Sequence, residues 1–558
     1  MNKNCKNCNC SFEITDEDLK FYDKVSPVFN DVKYSIPEPS LCPDCRQQRR
    51  LSFRNERNLY HRKCSCCSKN IISIYSSDSQ YTIYCSDCWW NDSFDPLEYG
   101  VEFDFSKSFF EQFNSLMKRV PRIGLHVSNN ENSDYINFSG YNKNSYLIFA
   151  AEYDENCFYG NRVMESQDCV DTLNCLRSQW CYEVVDVESC YNLFFSQSCK
   201  NCNDSMFLID CIGCSDCLLS FNLRKQKYCI FNKQYTKEEY FIKKNEILSI
   251  LNSSDRNLLI QKFIEMKKKV INKNLEILES ESSMGNYLFN TRNCKNCFDI
   301  SSGEDCIYAY SGVKMKDCMD VCHLYDAELS YEVTSTGYNS YNVLFSNTAW
   351  TTSNSYYVDN VHSSSDVFGC INLKKNKYCI LNKQYTKEEY EILFPKIIEH
   401  MKKTGEWGEF FPVSLSPFGY NETVVNEYYP FNKEEALSKG YKWRDEDVQS
   451  QYQGVKYEVL ENINDIQDDI CNAILQCEVT GKAYKIIPQE LSFYRKMELP
   501  IPKRCPDQRH LDRMQLRNPR VLCDRKCMKC NTDIKTTYSP ERKEIVYCED
   551  CYSNYIYN

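Results

Sequence analysis

Glycine and proline are scarce, at 16 residues each in a chain of 558, which argues against flexible low-complexity linkers. No apolar stretch approaches the roughly 20 residues a membrane helix requires. The opening Met-Asn-Lys-Asn-Cys-Lys-Asn-Cys carries no apolar signal segment. No P-loop, GxGxxG or GxSxG motif is present, and the six histidines stand apart at positions 61, 126, 323, 362, 400 and 510. An excess of positive charge is also lacking. A net charge of −11 and a pI near 5.4 argue against a surface coated in nucleic acid, leaving only a local basic patch for that task.

What is abundant is cysteine, with 36 residues, alongside 42 tyrosines and 30 phenylalanines. A hydrophobic content of 42% supports real cores. The length suits roughly three to five domains. Without an export signal, so many cysteines point to metal ligands or reduced core residues rather than disulfides, and to a cytoplasmic location.

Comparison of the chain with itself reveals its organisation. CPDCRQQRRLSFRNERNLYHRKCSCC from Cys42 aligns without a gap to CPDQRHLDRMQLRNPRVLCDRKCMKC from Cys505, and the frame continues to YCSDCW at Tyr84 and YCEDCY at Tyr547. Upstream, the stretch from Cys5 matches that from Cys477, with a short insertion in the first copy before its CPDC. One module therefore stands at both ends.

The middle also repeats. NLRKQKYCIFNKQYTKEEY from Asn222 matches NLKKNKYCILNKQYTKEEY from Asn372. Each follows a stretch of short Cys- or Ser-led apolar segments that recur at close but uneven intervals, such as Cys181-Tyr182-Glu183-Val184 and Ser330-Tyr331-Glu332-Val333. Short β segments spaced this closely predict a stacked β-solenoid, with irregular hairpins as the alternative. Thr236 to Glu239 and Thr386 to Glu389 are capping-box signatures for helix starts. Phe109, Phe110, Phe113, Leu116 and Met117 fall at helical spacing, predicting an amphipathic connector over 106–118 whose stripe packs into a core.

The expected fold class is a multidomain, β-rich α+β chain. Zinc-ribbon or treble-clef modules at both ends flank a duplicated β-solenoid-like Cys/Tyr-rich middle with helical connectors. The expected segments are an N-terminal double ribbon (1–95), a helical connector (96–130), a first solenoid-like copy (131–235) and a helical segment (236–282). A second copy (283–385), a helix and aromatic-rich linker (386–470) and a C-terminal module (471–558) follow.

Zinc takes four soft ligands in a tetrahedron, and a CxxC turn supplies two thiolates. Cys64, Cys67, Cys85 and Cys88 fit, and Cys527, Cys530, Cys548 and Cys551 repeat them with the same gap between the pairs. Cys5, Cys8, Cys42 and Cys45 form a third set with a longer insert between Cys8 and Cys42. Three Zn²⁺ ions are expected. At the fourth position Thr480 and Gln508 replace two cysteines, leaving Cys477 and Cys505. That ribbon is expected to lack zinc and to fold on Tyr484, Ile486, Leu491 and Phe493. Cys10 and Cys66 face Lys482 and Lys529 in the internal alignment and are excluded as ligands, while Cys523 lies near enough to the degenerate set to be considered. Cys199/Cys202 and Cys211/Cys214/Cys217 have knuckle spacing, yet the second copy places Val361, Ser364 and Val367 opposite the latter three. Small, reduced inward-facing residues explain that exchange better than metal ligands.

Arg46, Arg50, Arg54 and Arg57 share one helical face, and the second module keeps arginine at Arg509, Arg513, Arg517 and Arg520. Two readings follow. The arginines contact the phosphates of RNA or DNA, or they form salt bridges and aromatic stacks within the module, for instance with Asp44 and Asp507. Four-cysteine sites are closed to substrate, so an enzyme is not expected; a carbohydrate-active solenoid is a distant alternative. The strings LCPDCRQQRRLSFRNERNLY, YCSDCWWNDSFDPLEYG, GEWGEFFP…SPFGYNE and IIPQELSFYRK…IPKRCPDQRH resemble a family of large uncharacterised zinc-ribbon proteins found in candidate-phylum bacteria and giant viruses. The resemblance covers nearly the whole chain and implies structural zinc but no reaction. The expected function is structural zinc binding with RNA or DNA held by the arginine-rich helices; a protein–protein scaffold or particle component is the alternative, with a virion location if the source is viral.

Overall fold

The computed structural model describes residues 1–251, 256–445, 457, 459–460 and 462–557. Residues 252–255 of the expected helical segment and 446–456 of the expected linker lie outside them. The chain forms two compact units, neither contiguous in sequence. The first joins Met1–Leu125 to Leu275–Arg444, and the second joins His126–Asn274 to Asp445–Asn558. Each unit thus combines a terminal cysteine module with the solenoid that is not its immediate neighbour along the chain.

Both solenoids are built from parallel coils. In the second unit Asn137 pairs with Phe149, Phe149 with Asn161, and Asn161 with Leu173. Side chains bond across the same step, Asn142 N to Asn130 and Asp154 N to Asn142, each pair 12 positions apart. That is a tighter and more regular repeat than the uneven segment spacing in the sequence suggests. The reason lies in the backbone. Phe138, Tyr141, Asn144, Leu147 and Ala150 all adopt left-handed φ between 48° and 58°, and this recurs at every third residue. Four short sides, each running from one such corner to the next, close one coil. Left-handed backbone normally favours glycine or asparagine, but here parallel pairing on both sides holds bulky residues there. Scarce glycine therefore conceals the corners from a reading of composition.

Every third residue points inward, and successive members of a column are one coil apart. One column reads Cys157, Cys169, Cys181, Leu193, Ser205, Cys217 and Cys229, all buried. Small polar side chains here add a second hydrogen bond to interior carbonyls that already accept a main-chain N–H, as Gln167 O does from Trp180 and Ser178 O from Gln167. Cys169 Sγ donates to the carbonyls of Gln167 at 3.2 Å and Ser178 at 3.5 Å. Ser166 Oγ does the same for Met164 at 2.9 Å and Cys175 at 3.3 Å, and also accepts from Ser178 N. Cysteine and serine are both small enough for this position, which accounts for Ser330 standing buried where the first solenoid has Cys181.

In the first unit the same architecture contains two departures. Met284 pairs with Lys295, a step one residue short, and Ala327 pairs with Ser340, a coil one residue long. The two cancel. Between them Asp171 corresponds to Asp320 and Glu183 to Glu332, while beyond them Asn222 corresponds to Asn372, one place further on. Each stack ends in an antiparallel hairpin, Lys227–Ile230 with Lys233–Gln234 and Lys377–Ile380 with Lys383–Gln384. Helices Lys237–Leu251 and Lys387–Thr404 follow, begun by the expected Thr/Glu capping boxes.

The core of the first unit is aromatic. The connector forms as helix Phe109–Arg119, and its stripe packs inward, with Phe109 against Tyr357 and Phe368. Trp407, Phe410, Phe411 and Phe418 of the aromatic linker join the same core. In the second unit Tyr484, Ile486, Leu491 and Phe493 are buried with Phe158, Val170 and Tyr182 of the solenoid wall.

Candidate metal centres

Three groups of four cysteines converge in the terminal modules. They are Cys5/Cys8/Cys42/Cys45, Cys64/Cys67/Cys85/Cys88 and Cys527/Cys530/Cys548/Cys551, the sulfurs of each lying within 4.8 Å of one another. These are the sets expected from spacing, and among the described residues no group of three or more converging ligands involves the middle cysteines.

The same local construction makes all three. The first knuckle closes on two main-chain hydrogen bonds, Cys5 N to Cys10 O and Asn9 N to Cys5 O, each 2.9 Å. Cys64/Lys69 with Ser68, and Cys527/Thr532 with Asn531, repeat that turn. Asn9, Ser68 and Asn531 take left-handed φ of 60°, 60° and 63° to complete it. The second knuckle opens a helix: Cys42 caps Pro43–Leu51, Cys85 caps Ser86–Trp90, and Cys548 precedes Glu549–Tyr557. Thiolates at a helix start gain from its free N–H groups. Equivalent sulfurs meet at equivalent distances, Cys8 to Cys42 at 3.7 Å, Cys67 to Cys85 at 3.8 Å and Cys530 to Cys548 at 3.7 Å.

The electrostatics call for a cation. Burial raises the Cys5 thiol, but N–H donation from Cys42, Cys8 and Asn7 outweighs it and holds the pKa at about 6. Cys64 is likewise brought to about 6 against its burial. Once one thiolate forms, its neighbours resist ionisation: burial and adjacent thiols push Cys8 up to about 11 and Cys551 to about 12. Four thiols ionise together only around positive charge. A closed four-sulfur set suits a structural ion with no open coordination position.

A fourth pair of turns keeps the frame without the ligands. Cys477 N to Lys482 O and Gly481 N to Cys477 O, both 2.9 Å, rebuild the knuckle, and Cys505 caps helix Pro506–Gln515. Thr480 and Gln508 occupy the other corners, with Thr480 Oγ1 at 4.0 Å from Cys505 Sγ. Cys523 pairs with Thr536 in the hairpin of the last ribbon and does not complete this set. Cys10 and Cys66 are exposed and stand outside every group. The middle cysteines are buried, and Cys199, Cys202, Cys211, Cys214 and Cys217 all point Sγ at main-chain carbonyls.

The arginine face turns inward. Arg46 and Arg50 are 2% and 0% exposed, and Arg509 and Arg513 are 3% and 1%. Arg46 Nε donates to Asp320 at 2.8 Å, and Arg50 Nη1 to Glu332 at 2.7 Å. In the other unit Arg509 pairs with Asp171, Arg513 reaches Asp171 at 3.0 Å and Glu183 at 3.3 Å, and Arg517 donates to Asp186 at 3.0 Å. Arg54 is buried on Glu56, while Arg57 and Arg520 are half-buried. Phosphate cannot reach guanidinium groups held this way, so the phosphate-contact reading loses its geometric basis at Arg46, Arg50, Arg509, Arg513 and Arg517. The salt-bridge reading fits, with different partners: solenoid carboxylates rather than Asp44 and Asp507. Asp507 instead pairs with Lys482.

The carboxylates form a column that the sequence displays but that spacing within the modules does not point to. Tyr159, Asp171 and Glu183 succeed one another on left-handed corners of adjacent coils, as do Tyr308, Asp320 and Glu332. Arg509 lies over Tyr159 and Arg46 over Tyr308, at 4.6 and 5.7 Å. The coil period, together with the one-place shift between the two copies, is the signal that marks them. Burial opposes the charge of Glu332, yet Arg50, Arg49 and Arg46 more than compensate and lower its pKa. Glu183 has fewer cations nearby, and burial raises it to about 7.

No model of a known protein family matches the chain, and no curated protein matches it.

Proposed function

We propose that the protein is a zinc-stapled β-solenoid scaffold, a structural protein whose coils present surfaces to protein partners. The observation that carries this reading is the burial of the arginine helices on the Tyr-Asp-Glu columns. The feature that pointed outward to phosphate instead clamps each cysteine module to a solenoid wall. Zinc is the ion of choice for the three four-sulfur sets, because it is redox-inert and content with a closed thiolate tetrahedron. Its role is to fix each knuckle and the helix that starts from it; at Cys5/Cys42 that helix carries Arg46 and Arg50. The resemblance to large zinc-ribbon proteins agrees with such a role and adds no reaction to it.

Two measurements test the reading together. Elemental analysis should give three zinc ions per chain, and fluorescence anisotropy with single-stranded RNA and duplex DNA at low salt should show no salt-dependent association. Tight, steeply salt-dependent binding would return the nucleic-acid reading to first place and require a different set of cations on the surface.

A further inference from the structure

The degenerate ribbon is a metal site of a different kind: we infer that Cys477 and Cys505 form a two-coordinate thiolate site for a soft monovalent cation, Cu(I). The two sulfurs are not relics in a collapsed loop. Cys477 sits in the turn that Cys5, Cys64 and Cys527 occupy, with the same pair of 2.9 Å main-chain hydrogen bonds seen at Cys5 and Cys527. Gly481 supplies the left-handed residue at φ 69°. Cys505 caps helix Pro506–Gln515 as Cys42 caps its own, with Arg509 N bonded to its carbonyl at 3.0 Å. Both side chains are 3% exposed. The frame therefore holds one sulfur from each knuckle facing the same point as in the four-cysteine sets.

The other two corners are closed to zinc. Gln508 Nε2 is committed to Asp512 at 2.8 Å, and Thr480 Oγ1 accepts from Lys482 N at 3.3 Å. Zinc requires four donors and finds two. Cys477 and Cys505 are free thiols rather than a disulfide, and their counterparts in the intact set, Cys5 and Cys42, have sulfurs within 4.8 Å of one another around a single centre. Soft thiolates select Cu(I), which is satisfied by two in line and so needs neither substituted corner. Binding is ligand exchange: two S–H bonds are lost, two Cu–S bonds form, two protons leave, and no electron is transferred. The resulting single negative charge lies at the start of the Pro506–Gln515 helix, where the free N–H groups favour it.

The test uses full-length protein carrying its zinc, reduced and kept free of oxygen, titrated with Cu(I) against bathocuproine disulfonate. The expected result is one tightly bound Cu(I) per chain with all zinc retained and a two-sulfur environment by X-ray absorption. Cys477→Ser and Cys505→Ser should each weaken that uptake at least about tenfold. As a control independent of folding defects, Thr480→Cys with Gln508→Cys should bind an additional zinc at this site. Copper uptake matched by zinc release, uptake unchanged in both serine variants, or a Cys477–Cys505 disulfide that on reduction takes up no copper would each overturn the proposal.

Discussion

At the scale of single residues, the side chains that matter most are polar and buried. Arg50 is fully enclosed between Glu332 and Asp320, at 2.7 and 3.4 Å. Removing one member of a buried pair leaves an uncompensated charge, so Arg50→Ala should destabilise the first unit by about 3–5 kcal/mol, read as an earlier urea midpoint. Arg50→Met combined with Glu332→Gln should recover much of that loss. Glu183 gives the corresponding pH test. Its pKa is raised to about 7 in the fold, above the ordinary glutamate value of about 4.3. The folded protein therefore holds this proton where the unfolded chain has released it. The contribution is fully present below the ordinary glutamate value and is lost as pH rises through about 7. Glu183→Gln should flatten the stability profile of the second unit across that window, and an unchanged slope would show that Arg513 keeps the carboxylate ionised. Inside the coils, Cys181 Sγ donates to Gln179 O at 3.6 Å and Cys190 O at 3.9 Å. Cys181→Ser keeps a donor and should fold normally, while Cys181→Ala removes only a second donor from carbonyls such as Cys190 O, which already accepts from Gln179 N, and should cost about 1 kcal/mol, measured by thermal melting.

At the scale of elements, knuckle and coil are independent devices joined by one helix. The knuckle needs two main-chain hydrogen bonds, a left-handed residue and a helix start, and all four cysteine frames have them. Ligand number alone then decides the metal. Cys67→Ser and Cys530→Ser should each remove one zinc ion and loosen only the ribbon concerned, as read by elemental analysis and limited proteolysis. Chelation should release the modules while the β signal of the coils persists, because coil pairing uses main-chain bonds and buried thiols rather than metal. Coil size varies at the shortened step to Lys295 and at the lengthened coil closing at Ser340. The latter's extra residue lies in a turn where Tyr338 is 50% exposed. Elsewhere one inserted residue would turn an inward column outward, since each side is only as long as the spacing between corners.

At the scale of the whole molecule, each compact unit is assembled from two separated stretches of chain. Residues 1–125 and 275–444, produced as separate polypeptides, should therefore associate one to one in the presence of zinc. Arg50→Glu in the first fragment should abolish that association. Failure of the unsubstituted fragments to associate would mean that the helix–column contact depends on the intact chain. Among the described residues no helix is long and apolar enough to cross a membrane. The molecule is thus a pair of coil stacks, each with a cysteine module fastened to its wall.

The sequence by itself determined the local chemistry. Paired CxxC motifs, two sets with the same separation and one with a longer insert, identified the three ligand sets, because a knuckle is a short-range turn whose spacing is its geometry. The exchange of Cys214 for Ser364 and of Cys217 for Val367 identified the middle cysteines as interior residues, because a column tolerates any small side chain. Phe109, Phe113, Leu116 and Met117 were legible as a helix stripe for the same reason. The coil period was obscured, since its corners use Tyr, Leu and Phe in left-handed backbone that no propensity favours and that only pairing above and below sustains. Which way the arginines face was decided by tertiary structure alone. A helix face shows that Arg46 and Arg50 stand together, but whether they meet phosphate or Asp320 and Glu332 depends on a solenoid wall built from a distant stretch of the chain. The carboxylates follow the coil period, but nothing within the helix itself says which wall it will meet.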